Sequence, residues 1–127
     1  METKAAAEWF KQAAYDIKSA ETLFLKKQYI HCVFFCHLAL EKTLKGIYVK
    51  KKGELPARTH NLLYFVEKLE LKPEKEMDDF LTDLNSMSIP TRYPDSLAKM
   101  AKVFTRKRTK EMLDKSKGAL KWAESLI

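Results

Sequence analysis

The sequence predicts an all-α fold, a compact up-and-down bundle of about five helices around a buried second helix. Three observations predict it. Three Gly and four Pro among 127 residues leave little room for the many turns of a β protein, while Ala, Leu, Lys and Glu, which favour helices, dominate. Residues 29–52, YIHCVFFCHLALEKTLKGIYVKKK, contain no Pro and a single Gly, Gly46. Within them every residue from Cys32 to Leu40 is apolar except His37. A helix turns ~100° per residue, so these nine residues cover its whole circumference and the segment must be buried on all sides. The apolar run falls short of the ~20 residues that span a bilayer, so no membrane insertion is expected.

The first helix is expected from Thr3 or Lys4 to about Lys26. Ala6, Phe10, Ala13, Ile17, Ala20 and Phe24 step by 4, 3, 4, 3, 4 and define one apolar face. Trp9 and Leu23 widen it, and Asp16 borders it. Lys26-Lys27-Gln28 is a polar hinge, and the central helix follows from about Ile30 to Lys51. Gly53 ends it and Pro56 forbids its continuation. Thr59 is a suitable N-cap for a third helix, His60 to about Leu69, which places His60 in its first turn. Pro73 can open a fourth helix from about Glu74 to Met87, with Met77, Phe80, Leu81 and Leu84 inward. Ser88 to Ser96, SIPTRYPDS, carries two prolines in nine residues and is expected to be an ordered loop. Asp95 is a candidate cap for a short helix to about Val103. Thr105 is a candidate cap for the last helix, to about Leu126. Residues 1–127 form one expected domain, with 46% hydrophobic and 32% charged residues, an ordinary soluble balance.

The central helix carries the chemistry. His37, Glu41 and Lys45 recur at i, i+4 and i+8, with Lys42 beside them, and draw one polar stripe along an apolar rod. Buried charge without a partner is costly, so the stripe must be answered by other residues of the fold, by solvent or by a ligand. Cys32 and Cys36 lie in the apolar run at i, i+4, but no second ligand pair with zinc-like spacing exists. Buried free thiols in a reducing cytoplasm are the expectation, and no metal. The start, METKAAAEW, has no apolar run of the signal-peptide kind. The formal charge is +7 with a pI near 9.4. From Ala98 to Ile127 there are nine Lys or Arg against three acids, and Lys50, Lys51 and Lys52 form a second cluster. Solvated helix faces and a polyanion-binding surface both fit that pattern. No Gly-rich phosphate loop, nucleophile elbow or His-Glu-x-x-His motif is present.

Four stretches together resemble a known family: AAYDIKSAETLF, CHLALEKTLKGIY, THNLLYFV and IPTRYPD. The order of Glu41-Lys42-x-x-Lys45, then Thr59-His60, then Arg92-Tyr93-Pro94-Asp95 is similar to the HEPN domain, the higher eukaryote and prokaryote nucleotide-binding domain, over about Trp9 to Trp122. The resemblance implies an α-helical bundle, commonly homodimeric, whose gene often stands beside one for a minimal nucleotidyltransferase in toxin–antitoxin pairs. Ribonuclease members carry Arg, four to six residues, then His. Here Arg58 and His60 are too close, and Arg92, Arg106 and Arg108 have no His after them. The resemblance therefore implies the Arg-Tyr-Pro-Asp branch, for which nucleotide binding without catalysis and without a cofactor is the expected activity. A nuclease working through His60 and Arg92 is the alternative. The match carries over Glu41, Lys42, Lys45, His60, Arg92, Tyr93 and Asp95. Lys42, Lys45 and Arg92 suit a phosphate, Tyr93 suits a base face, and His60 can donate to an oxygen. Asp16, Glu41 and Asp95 are expected to form an ion network with those cations. The stripe, the start of the third helix and the Arg-Tyr-Pro-Asp loop are expected to meet in one basic groove.

Overall fold

The computed structural model describes residues 4–127, so Thr3 as a helix start lies outside the described residues. Seven helical segments follow in order: α1 (Lys4–Leu25), α2 (Tyr29–Lys52), α3 (Leu62–Lys68), α4 (Lys75–Ser86), α5 (Ser88–Arg92), α6 (Leu97–Val103) and α7 (Arg106–Glu124). The expected all-α bundle is present, with two short segments, α5 and α6, inserted between α4 and α7.

α2 is the axis of the molecule. Cys32, Val33, Cys36, Ala39, Leu40, Leu44 and Ile47 on it are fully buried. α1 covers one side, with Ala6, Ala13, Ala20 and Phe24 buried. Small side chains let the two backbones approach, and Gly46 takes this furthest. A Cβ there would stand 2.5 Å from the nearest ring carbon of Phe10, closer than two carbons can pack. The α1–α2 turn is tight because Lys27 adopts a left-handed φ of 61°. The Lys27 N–H donates to the Phe24 carbonyl and the Gln28 N–H to Leu23, the double closure that satisfies the last carbonyls of a helix. Gly53 closes α2 similarly, at φ 68° with its N–H on the Val49 carbonyl. α7 packs along a second side through Met112, Leu113, Ser116, Ala119 and Ala123, and Thr105 caps it as expected. α3 and α4 complete the core with Leu62, Phe65, Phe80, Leu81 and Leu84.

Three local expectations are corrected. α3 begins at Leu62, not at His60, because Asn61 is its N-cap: its side chain accepts the Leu63 N–H at 3.0 Å. Thr59 instead accepts the Asn61 N–H through Oγ1, so His60 sits on the approach to the helix. Residues 88–92 form the short helix α5 despite Pro90. The proline is its third residue, where an N–H has no intrahelical acceptor to lose. The chain leaves the helix at Tyr93, as Pro94 requires. Asp95 does not cap α6; Ser96 does, accepting the Lys99 N–H. Pro73 precedes α4, whose N-cap is Glu74 and whose first turn holds Glu76 and Asp78 against the positive helix end.

Candidate functional site

Glu41 is the hub. It is 3% exposed at the middle of α2, and basic groups from four places converge on it. Lys45 Nζ, one turn along α2, donates to Oε2 at 2.9 Å. His60 Nδ1, from the approach to α3, is 2.9 Å from Oε1. Arg92 Nη2, at the end of α5, lies 3.6 Å from the same oxygen. His37 Nδ1, one turn before Glu41 on α2, is 3.8 Å away. The stripe, the start of the third helix and the Arg-Tyr-Pro segment are therefore brought together, through one buried carboxylate.

The groups differ in exposure, which sorts their roles. Lys45 is buried, its ammonium 5.6 Å from the centre of the Trp9 ring and 6.0 Å from that of Phe65, so aromatic faces assist Glu41 in holding the charge. The Arg92 guanidinium lies 4.7 Å over the Phe34 ring. Its Nε and Nη2 are buried without a hydrogen bond, so Glu41 answers it at ion-pair range only. The His60 side chain is 57% exposed. With Nδ1–H donating to Glu41, its Nε2 is left outward as an acceptor.

Two expected members stand apart. Lys42 Nζ lies 2.9 Å from Asp16 Oδ2, an ion contact off the hydrogen-bond direction. This α1–α2 pair is separate from Glu41. Asp95 is not part of the buried network: it is exposed and bonds Lys99 at 2.9 Å, one turn along the chain. Ser96 and Pro94 turn it outward. Tyr93 is 77% exposed and, with His31, Phe34, Thr91 and Arg92, lines a hollow of about 360 Å³.

A second layer, invisible at the level of motifs, sets this geometry. Asn85 on α4 accepts the Leu62 N–H at 2.8 Å and donates to the Asn61 side chain at 2.9 Å. Its Oδ1 also lies 3.4 Å from His37 Nε2, which donates to it. α2, α3 and α4 are thus tied at one amide, next to the point where His60 enters. The signal was present in the sequence: an amide four residues after Leu81, on the inward face of an amphipathic helix. Burial holds the His37 imidazole below its ordinary value of 6.5, with Arg92 and His60 acting in the same direction and Glu41 and Asn85 opposing. His37 is therefore held neutral, bonded to Asn85 through Nε2 and with no hydrogen bond at Nδ1.

A family model described as "HEPN domain" matches residues 6–126. The chain belongs to the HEPN domain family. No curated protein matches it. Among solved structures, TT1696 from Thermus thermophilus is similar at 26% identity with a TM-score of 0.81, over 98% of this chain and 100% of that one. ST0689, described as an archaeal HEPN homologue, superposes with a TM-score of 0.76 at 22% identity, over 98% of each chain, and so supports the fold. Among the described residues no helix of this HEPN chain is long and apolar enough to cross a membrane.

Proposed function

We propose that this chain is a non-catalytic HEPN module that binds a phosphate-bearing ligand, a nucleotide, where His60 and Arg92 meet at Glu41, beside the hollow lined by Tyr93. The charge balance around Glu41 carries the reading. One carboxylate stands against two permanent cations, Lys45 and Arg92, with His60 as a third basic group on the open side. The neighbouring acids are committed elsewhere, Asp16 to Lys42 and Asp95 to Lys99. An excess of positive charge in a partly desolvated site favours an anion more than the same charge in water does. Lys45 is too buried to reach a ligand directly and acts by keeping the site positive. Lys42, neutralised by Asp16, adds no net charge to the site. Arg92 supplies the contact, His60 joins it only as the imidazolium, whose Nε2–H donates while Nδ1–H stays on Glu41, and Tyr93 offers an exposed ring to a base. The HEPN resemblance further supports a homodimer that works beside a minimal nucleotidyltransferase.

Calorimetry with a panel of nucleotides tests the site. Losing a charge-assisted hydrogen bond costs roughly 1.5–3 kcal/mol, so Arg92→Ala weakens binding about ten- to a hundredfold, and binding falls with added salt. Absence of binding below millimolar, or an Arg92→Ala variant that loses stability and keeps affinity, refutes it. Light scattering that shows a monomer at tens of micromolar in moderate salt refutes the homodimer.

One observation favours a second reading, a ribonuclease with a non-standard site. A carboxylate-oriented imidazole with a free Nε2 is the arrangement of a general base, and the Glu41–His60 pair at 2.9 Å has it. RNA cleavage by the purified protein that disappears in His60→Ala would establish this reading in place of the first.

A further inference from the structure

A hollow of about 290 Å³ lies between the α1–α2 turn and α6, next to the hollow at Arg92, with which it shares His31. Its walls are apolar and mostly aliphatic: Ile30, Pro94, Leu97, Met100 and Ala101, with Phe104 and Tyr29. Leu97 is 77% exposed on its rim. The surroundings are basic. Lys27 and His31 line the hollow, and Lys26 and Lys102 are exposed beside lining residues. Residues 24–36 contain no acid, and residues 89–108 contain only Asp95, which Lys99 occupies.

We propose that this hollow docks an acidic amphipathic helix of a partner protein, with apolar side chains seated between Ile30, Leu97 and Met100 and carboxylates facing Lys26, Lys27 and Lys102. Three arguments select that occupant. The volume is at the low end for a pocket that engulfs a whole small molecule, about 300–1,000 Å³, and suits a few aliphatic side chains presented from a helix at i, i+3/i+4 and i+7. The aliphatic walls offer side chains more than they offer bases, since nucleic acid held without sequence readout needs aromatic faces to stack on. Of the lining rings, Phe104 is buried and Tyr29 packs against Phe24 at 5.7 Å. The basic rim complements acids, and a second copy of this chain would approach it with a net charge of +7. The proposal rests on Ile30, Leu97 and Met100, which do not line the hollow at Arg92, so either reading can stand without the other.

The test is selection of a phage-displayed library of random peptides, about 16 residues or four helical turns long, on the full chain. The enriched peptides are then synthesised and titrated by fluorescence anisotropy. Enriched sequences are expected to be acidic with an apolar stripe of helical period. Their affinity should fall about tenfold or more in Leu97→Lys, should fall with salt and in Lys27→Glu, and should be unchanged in Arg92→Ala. Leu97 is exposed, so its replacement leaves the fold intact, which a circular-dichroism melt verifies. Enrichment of peptides without acid and stripe overturns the proposal. So does equal binding to Leu97→Lys, or a uridine oligomer that binds the same surface as tightly and displaces the peptides.

Discussion

Replacing Glu41 with Gln keeps the shape of the side chain and removes the one carboxylate that Lys45, His60 and Arg92 share. The cost falls mainly on Lys45, which is 7% exposed and has Glu41 as its hydrogen-bond acceptor. Stranding a buried charge by deleting its partner costs about 3–5 kcal/mol. His60, at 57% side-chain exposure, recovers hydration and adds little, while Arg92, whose Nε and Nη2 are buried, loses its ion-pair partner and adds to the cost. Unfolding entropy is about 2.1 cal/mol/K per residue near 60 °C, or about 0.27 kcal/mol/K for this chain, so the melting temperature should fall by about 11–19 °C. Thermal unfolding followed by circular dichroism measures it. Lys45→Met separates the causes: in that background Glu41→Gln should cost much less than in the native chain, because the stranded ammonium is gone. A Glu41→Gln melt within 3 °C of the native protein, about 1 kcal/mol, would refute the view that this carboxylate holds the buried cations.

Three further outcomes are expected. Asn85→Ala leaves the Leu62 N–H unpaired and frees the approach to α3, costing about 1–3 kcal/mol by urea unfolding and, by NMR, weakening the His60–Glu41 contact while α1–α2 contacts persist. The depressed His37 pKa means the folded state binds fewer protons there than the unfolded chain. That contribution is present above pH 6.5 and is lost as pH falls through the lower folded value, so His37→Gln should flatten the acid side of the stability profile below pH 6.5. Gly46→Val drives a branched side chain into the Phe10 ring and should destabilise by about 1–3 kcal/mol, read from urea unfolding; an unchanged midpoint would mean that Phe10 swings clear.

The axis of the fold was legible from the nine-residue apolar run, six residues of which are buried while Phe34, Phe35 and Leu38 stay half-buried, and α1 because its alanines and phenylalanines repeat at helical spacing. The site was half legible. Glu41, Lys45, His60 and Arg92 were expected to meet, and they do. Their hub was not derivable, since which of two acids takes which cation depends on backbone distances between α1, α2 and α5. Asp16 took Lys42 because α1 lies close along α2. Asp95 was assigned to the network from its place in a motif, yet Ser96 won the capping position and a neighbouring Lys99 took the acid. Two prolines suggested a loop at 88–96, but Pro90 falls in a first turn, where it costs no hydrogen bond. Asn61 and Asn85 carry no charge to balance and so leave little signal in the sequence, although their hydrogen bonds position the elements that do.

The contact of the Lys45 ammonium with Trp9 has an optical consequence. One of the two tryptophans of the chain sits beside the ion cluster, while Trp122 packs against Ile47, Leu69 and Ala123. The protein thus carries its own fluorophore where charge is rearranged. With Trp122→Phe, the remaining emission comes from Trp9 alone. Any event that moves Lys45, whether protonation of a neighbour, loss of Glu41 or arrival of an anion, changes the electric field on that indole and becomes visible without a label.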